Sequence, residues 1–404
     1  MSRDLHILNA SEICIPQENG NGVDRYPHFE LLIQNGSVSW IGEKGTAPAD
    51  AQDCKKYDAA GLAVLPGLVD FHTHLVYDGD RVADFALRSE GVSYAEIAAS
   101  GGGILTTVGA TRTASVETLA AGLRQRLLQR LPYGISTTEV KSGYGLSVEH
   151  ELRMLEAAAM VRAEGWDLEL TLLAAHTVPK DIPREVYLQQ IHEILIPKVA
   201  EGNLARFVDV FVEKGAYNIE EAREVYRVAK EHGLIPRVHA DQITAGKGAE
   251  LAAEVGAASA DHLENISTAG IEAMKQAGVV AGLLPGAAVF LGDEVKDLGK
   301  RLIQAGLEVA VATDANPGSS PLYNLPLAAT FATTLMGLTA DQAIRSVTLG
   351  AAHALKRPDI GSLKPGYKGR FIVLNHPDSR ALVYAFGEPM VRELVCTDLD
   401  LPKN

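Results

Sequence analysis

Apolar and polar positions along the chain fall into three regimes. Up to about residue 60, short apolar runs alternate with polar turns. Residues 5–8 read as a strand, and 29–34 and 37–42 read as two strands flanking Asn35-Gly36, a strong hairpin signal. From residue 64 to about 355 the pattern changes to an apolar run followed by a helix-like segment, repeated. The strand-like runs are 67–74, 135–141, 168–176, 207–213, 234–239, 259–264, 279–285 and 307–314. Helix-like segments between them include 116–131, 148–164, 184–200, 219–231, 246–254 and 293–305, and 340–355 follows the last run. After a Gly- and Pro-containing loop at 361–369, residues 371–374 and 381–385 read as strands again.

Eight strands alternating with helices predict an α/β fold, a closed (β/α)8 TIM barrel. An open doubly wound sheet would want a Gly-rich phosphate turn after an early strand. Gly101-Gly102-Gly103 lies far from the first strand and lacks that context. Both chain ends are β-like, so residues 1–63 and 358–404 are expected to form one small β-sandwich domain beside a barrel of residues 64–357.

Composition removes several function classes. The formal charge of −14 argues against a nucleic-acid surface, and it means that an anionic substrate needs a local cationic clamp. Cys14, Cys54 and Cys396 are widely spaced with no CxxC pair, which points to reduced thiols in a cytoplasmic protein. Met1-Ser2-Arg3-Asp4 leads into a strand-like run rather than a signal peptide. The most apolar stretch, 279–292, is too short and too interrupted by Gly and Pro to span a bilayer. No membrane partner is expected.

Barrel chemistry sits at the C-terminal ends of the strands. The first run ends in His72-Thr73-His74, and side chains spaced i, i+2 on a strand share a face. The third run ends at His176, the fifth at His239, the sixth carries His262, and the eighth closes on Asp314. Hydrolytic metal sites use nitrogen and oxygen ligands and keep a position open for water. His72, His74, His239 and Asp314 supply three imidazoles and a carboxylate. Asp314 can also take the proton of the attacking water, and His262 fits as the group that polarises a carbonyl or positions that water. Lys141 and Lys214 also end strands.

These features resemble the amidohydrolase superfamily and, within it, the imidazolonepropionase family. The stretches that carry the resemblance are Phe71–Tyr77, Gly79-Asp80-Arg81, Ser93–Ile97, Gly101–Ile104, Lys141-Ser142-Gly143-Tyr144-Gly145, Ala175–Pro179, His239–Gln242 and Thr313–Ser319. The resemblance implies hydrolysis of a ring C–N bond of 4-imidazolone-5-propanoate to N-formimidoyl-L-glutamate, with one zinc or iron ion per chain and a homodimer. It implies metal ligation by His72, His74, His239 and Asp314. It further implies substrate contacts from Arg81, Tyr94, Tyr144, His176, Gln242, Asn316, Gly318 and Ser319. Arg81 suits a carboxylate through a two-pronged hydrogen bond. One departure concerns proton transfer: related barrel deaminases commonly place Glu three residues after the fifth-strand histidine, and Gln242 stands there, whose amide cannot shuttle a proton. Another is Arg370-Phe371, where relatives usually show Ala-Asp.

Overall fold

The structure is a computed structural model and describes residues 4–92, 96 and 101–400. Its centre is a parallel eight-stranded sheet built from Leu68–Asp70 (β1), Ile135–Lys141 (β2), Leu168–Ala175 (β3), Phe207–Val212 (β4), Ile235–Ala240 (β5), Ser259–His262 (β6), Val280–Leu283 (β7) and Val309–Val311 (β8). Each strand pairs with the next in chain order. The ring closes just beyond the ends of β1 and β8. There Thr73 bridges Ala315, the Asp314 amide donates to the His72 carbonyl and the His74 amide donates to the Ala315 carbonyl. Closure and the candidate site therefore occupy the same few residues.

The strands form because both of their faces are covered; all seven residues of β2 are buried. The helices on the outer face start on side-chain caps that satisfy their free amides. Ser115, Ser147 and Ser267 cap Val116–Arg130, Val148–Ala163 and Thr268–Ala277, and Asn218 with Glu221 forms a capping box on Ile219–Glu231.

Two further sheets accompany the barrel. One has four strands in the order Ser37–Glu43, Phe29–Gln34, Leu5–Leu8, Lys55–Asp58, and it contains the hairpin around Asn35-Gly36. The other has five, in the order Val391–Cys396, Arg370–Leu374, Val64–Pro66, Glu12–Pro16, Val23–Pro27. The two share a core that includes Ile7, Ile13, Ile33, Val64, Phe371 and Val373. The chain passes from the second sheet into β1 through Gly67, where a Cβ would stand 2.7 Å from Ser136 Oγ, so only glycine fits that crossing.

Three sequence expectations change. Residues 381–385 form no strand: Ala381–Tyr384 is a short helix with Ala381, Leu382 and Val383 buried. An apolar run this short carries no period that separates the two states. The last strand is instead Val391–Cys396, an edge strand whose exposed Arg392 and Glu393 hide its apolar signal. The segment 184–200 is divided into Arg184–Gln190, a π turn at Ile191–Leu195 and Ile196–Glu201. Pro197 has no amide to donate, which interrupts the helical ladder at that point. The segment 293–305 is helical only over Leu298–Gln304, because Gly292 and Asp297 both have positive φ.

Candidate active site

A cavity of about 410 Å³ opens at the C-terminal ends of the strands. His74, Arg81, Tyr144, His176, His239, Gln242, His262, Asp314, Asn316, Gly318 and Ser319 all line it. His72 lies beneath, fully buried. Tyr94 lies outside the described residues.

At the cavity floor three donor atoms converge. His74 Nε2 is 3.3 Å from His72 Nε2 and 3.3 Å from Asp314 Oδ1, and His72 Nε2 is 3.5 Å from the same oxygen. A tetrahedral ion with bonds of about 2.0–2.1 Å has ligand atoms roughly 3.4 Å apart, so this spacing fits one. Asp314 Oδ1 is buried and has no hydrogen-bond partner among the described residues, as expected of an oxygen reserved for a cation. His239 and His262 complete the cluster, each with one ring nitrogen within 4.8 Å of its counterpart on His72. Exposed Lys214 lies at the cavity rim, whereas neighbouring Glu213 turns away to accept from the Ile243 and Thr244 amides.

Electrostatics prepares the imidazoles to bind a cation. Burial pulls His72 and His74 well below the ordinary histidine value, and the positive charge of Lys141 and neighbouring histidines adds to it. Both rings are therefore neutral, as ligation requires. Burial lowers His176 to about 3, helped by His74 and His239. Its Nδ1–H donates to the Gly143 carbonyl at 3.0 Å, which leaves Nε2 as an acceptor, and its ring stacks on His74. For Asp314 burial raises the carboxyl, and the charges of His262 and His239 only partly oppose this. For His262 burial acts downward, but Glu264, Asp314 and Asp261 outweigh it and raise the value. Asp241, His262, Leu263 and Asp314 all have positive φ, a concentration of non-glycine strain at the strand ends.

Arg81 sits on the wall. Its Nε donates to Asp84 Oδ2 at 2.6 Å, and its side chain is 9% exposed. A Cβ on Gly318 would stand 3.1 Å from Arg81 Nη2, so this glycine makes room for the guanidinium. Asn316 organises the turn after Asp314. Its Oδ1 accepts from the Gly318 and Ser319 amides, and its Nδ2 donates to the Asp314 carbonyl.

The description of the amidohydrolase family matches residues 63–397. An imidazolonepropionase from Deinococcus deserti is 46% identical over 364 residues, covering 90% of each chain. One from Brevibacillus brevis is 44% identical over 365 residues, covering 88% of this chain and 86% of its own. The chain belongs to the imidazolonepropionase family of amidohydrolases. Solved structures agree on the fold: Escherichia coli guanine deaminase, 15% identical, superposes with a TM-score of 0.73 over 99% of both chains. An adenosine deaminase from Xanthomonas campestris, 18% identical, gives 0.68 over 98% of this chain and 92% of its own.

In this amidohydrolase, sequence reasoning overlooked the residues under the cluster. His72 Nδ1 donates to Asp261 Oδ2 at 2.7 Å, and Arg237 Nη2 donates to the same oxygen at 2.9 Å. His239 Nδ1 lies 3.0 Å from Asp209 Oδ2, which Lys141 also meets at 2.9 Å, with Glu139 on the other side of the ammonium at 2.9 Å. Burial would raise Asp209, yet His239 and Lys141 outweigh it and hold it well below the carboxylate range. These carboxylates fix which nitrogen of each ring faces the cavity. Glu151 was overlooked as well. Its buried carboxylate accepts from the Gly143, Gly145 and Leu146 amides and so shapes the loop that carries Tyr144. A Cβ on Gly145 would come within 2.5 Å of the Glu151 amide nitrogen, which explains that glycine.

Proposed function

We propose that this chain hydrolyses the cyclic C–N amide bond of 4-imidazolone-5-propanoate to N-formimidoyl-L-glutamate, in L-histidine degradation. The observation that carries this reading is a buried His72–His74–Asp314 donor set at the floor of a cavity whose wall bears Arg81. His72, His74, His239 and Asp314 would hold one divalent ion, zinc or iron. When bound, the ion supplies Lewis acidity that makes water nucleophilic near neutral pH. Asp314 takes the proton of that water. His262 stabilises the charge that develops on the ring carbonyl. Arg81 receives the propanoate carboxylate, while Tyr144 and His176 bound the ring and Gln242, Asn316, Gly318 and Ser319 supply polar contacts. Tyr94 joins the substrate contacts on the family resemblance, which also supports a cytoplasmic homodimer. Among the described residues no helix is long and apolar enough to cross a membrane.

The direct test is turnover of the imidazolone propanoate by the metal-loaded protein, with the product identified by mass. A fully loaded, folded protein that leaves the substrate intact would refute the reading. His262→Asn should keep one metal per chain and lower kcat by about 10²–10⁴-fold, in keeping with loss of a group acting on the reacting centre. His262 also belongs to a second close triad with His72 and His239. Loss of metal in that variant would make it a ligand instead.

Asp209→Asn should weaken metal affinity by roughly 10–100-fold, because the amide no longer offers His239 Nδ1 a carboxylate. Lys141 keeps Glu139 in that variant, so a folded protein is expected. Competition with a chelator of known affinity measures the loss; unchanged affinity would separate Asp209 from metal binding.

A further inference from the structure

Glu264 has no role so far, yet its position is costly. Its side chain is 4% exposed, and neither carboxylate oxygen has a hydrogen-bond partner among the described residues. A buried carboxylate left in that state destabilises a fold unless something else uses it. The group that faces it is His262, whose Nδ1 lies 3.5 Å from Glu264 Oε1 and has no other partner among the described residues. The backbone between them is bent for the purpose. His262 and Leu263 both have positive φ, 85° and 72°, in succession, a conformation that non-glycine residues adopt only when the surroundings enforce it. Here the enforcement is visible: the Leu263 amide donates to the Ala240 carbonyl, and Asn265 donates to Asp241 and Gln242. The bend carries the side chain two residues beyond His262 back onto its ring.

We propose that Glu264 is the positioning residue of His262, holding Nδ1 so that Nε2 is the nitrogen presented to the reacting centre. The inference rests on the hydrolase reading for its kinetic consequence. Nδ1–H pointed at a carboxylate selects one tautomer and one ring orientation, as carboxylates do for working histidines elsewhere. The separation of 3.5 Å is long for a hydrogen bond, and catalytic contacts of this kind shorten once substrate is bound.

The test uses the metal-loaded full chain. Glu264→Gln should lower kcat by roughly 10–100-fold with KM within about threefold of wild type and one metal retained per chain. Side-chain 15N spectra, with the His262 signals assigned by their loss in His262→Asn, should show protonated Nδ1 in wild type and a shifted pattern in Glu264→Gln. The double variant separates positioning from stability: Glu264→Gln in a His262→Asn background should cost nothing further, whereas a folding defect would add its full effect. Glu264→Asp, one methylene shorter, should recover part of kcat. An unshifted His262 signature, or an effect on kcat that is additive with His262→Asn, would overturn the proposal. A wild type that shows the Glu264-dependent signature yet does not turn over imidazolone propanoate would refute the functional reading alone.

Discussion

Asp314→Asn should lower kcat by on the order of 10³-fold or more, the larger part of which is loss of the base. Asparagine matches aspartate in shape, so the ring closure on either side of it persists: the residue 314 amide still donates to the His72 carbonyl and the Thr313 hydroxyl still donates to Asp70. What changes is the buried oxygen 3.3 Å from His74 Nε2 and 3.5 Å from His72 Nε2, which loses its charge and its capacity to accept a proton. Metal affinity should fall with it, since one anionic donor becomes a neutral amide. The metal-free variant should melt no lower than the metal-free wild type, because a desolvated carboxylate with one oxygen unpaired among the described residues is itself unfavourable. Steady-state kinetics at saturating metal, beside a metal titration and melting of both apo proteins, separate these effects. A metal-loaded variant with near wild-type kcat would remove Asp314 from the chemistry.

What the sequence made legible follows from two periodicities. Strand–helix alternation revealed the barrel, and the i, i+2 rule brought His72 and His74 to one face. Reading strand ends then led to His176, His239, His262 and Asp314, which the structure gathers around one cavity. The layer beneath them was read only at Lys141, and there only as the end of a strand, because Glu139, Asp209 and Arg237 lie within strand-like runs that register as apolar. The signal was present: charged residues are almost never fully buried unless paired, so each charge inside a buried parallel strand announces a partner on another strand of the barrel. Lys141 with Asp209, and Arg237 with Asp261, are such partners. Glu151 could not be found this way. It lies in the first turn of Val148–Ala163, where an acidic residue is ordinarily explained by the helix end, and only the folded loop shows three amides directed at it.

Arg81→Met should reduce kcat/KM for the imidazolone propanoate by roughly 30-fold to several thousand-fold, the equivalent of about 2–5 kcal/mol for a truncated buried charge-assisted hydrogen bond. The alternative role for this residue is a surface pair with Asp84, and that pair does exist at 2.6 Å. Its geometry argues for support. Asp84 takes only Nε, and the same carboxylate oxygen also accepts the Gly103 amide at 2.9 Å, so Asp84 anchors one edge of the guanidinium. The terminal nitrogens lie against Gly318, at the cavity wall beyond Asn316. An acidic chain repels a propanoate at long range, which makes a fixed cation at the cavity wall the group that must capture it. Methionine keeps the aliphatic stem and removes the charge, and Asp84 retains the Gly103 amide, so fold and metal content should not change. Arg81→Lys should restore only part of the loss, because an ammonium cannot offer a carboxylate two parallel donors while also holding Asp84. The decisive comparison is an imidazolone without the carboxylate. Against it, wild type and Arg81→Met should be nearly equal, since the lost contact has no counterpart there. Equal efficiency of Arg81→Met on the propanoate itself would place the carboxylate elsewhere in the cavity, and an equal loss on both substrates would make Arg81 a structural support for the turn that carries Gly318.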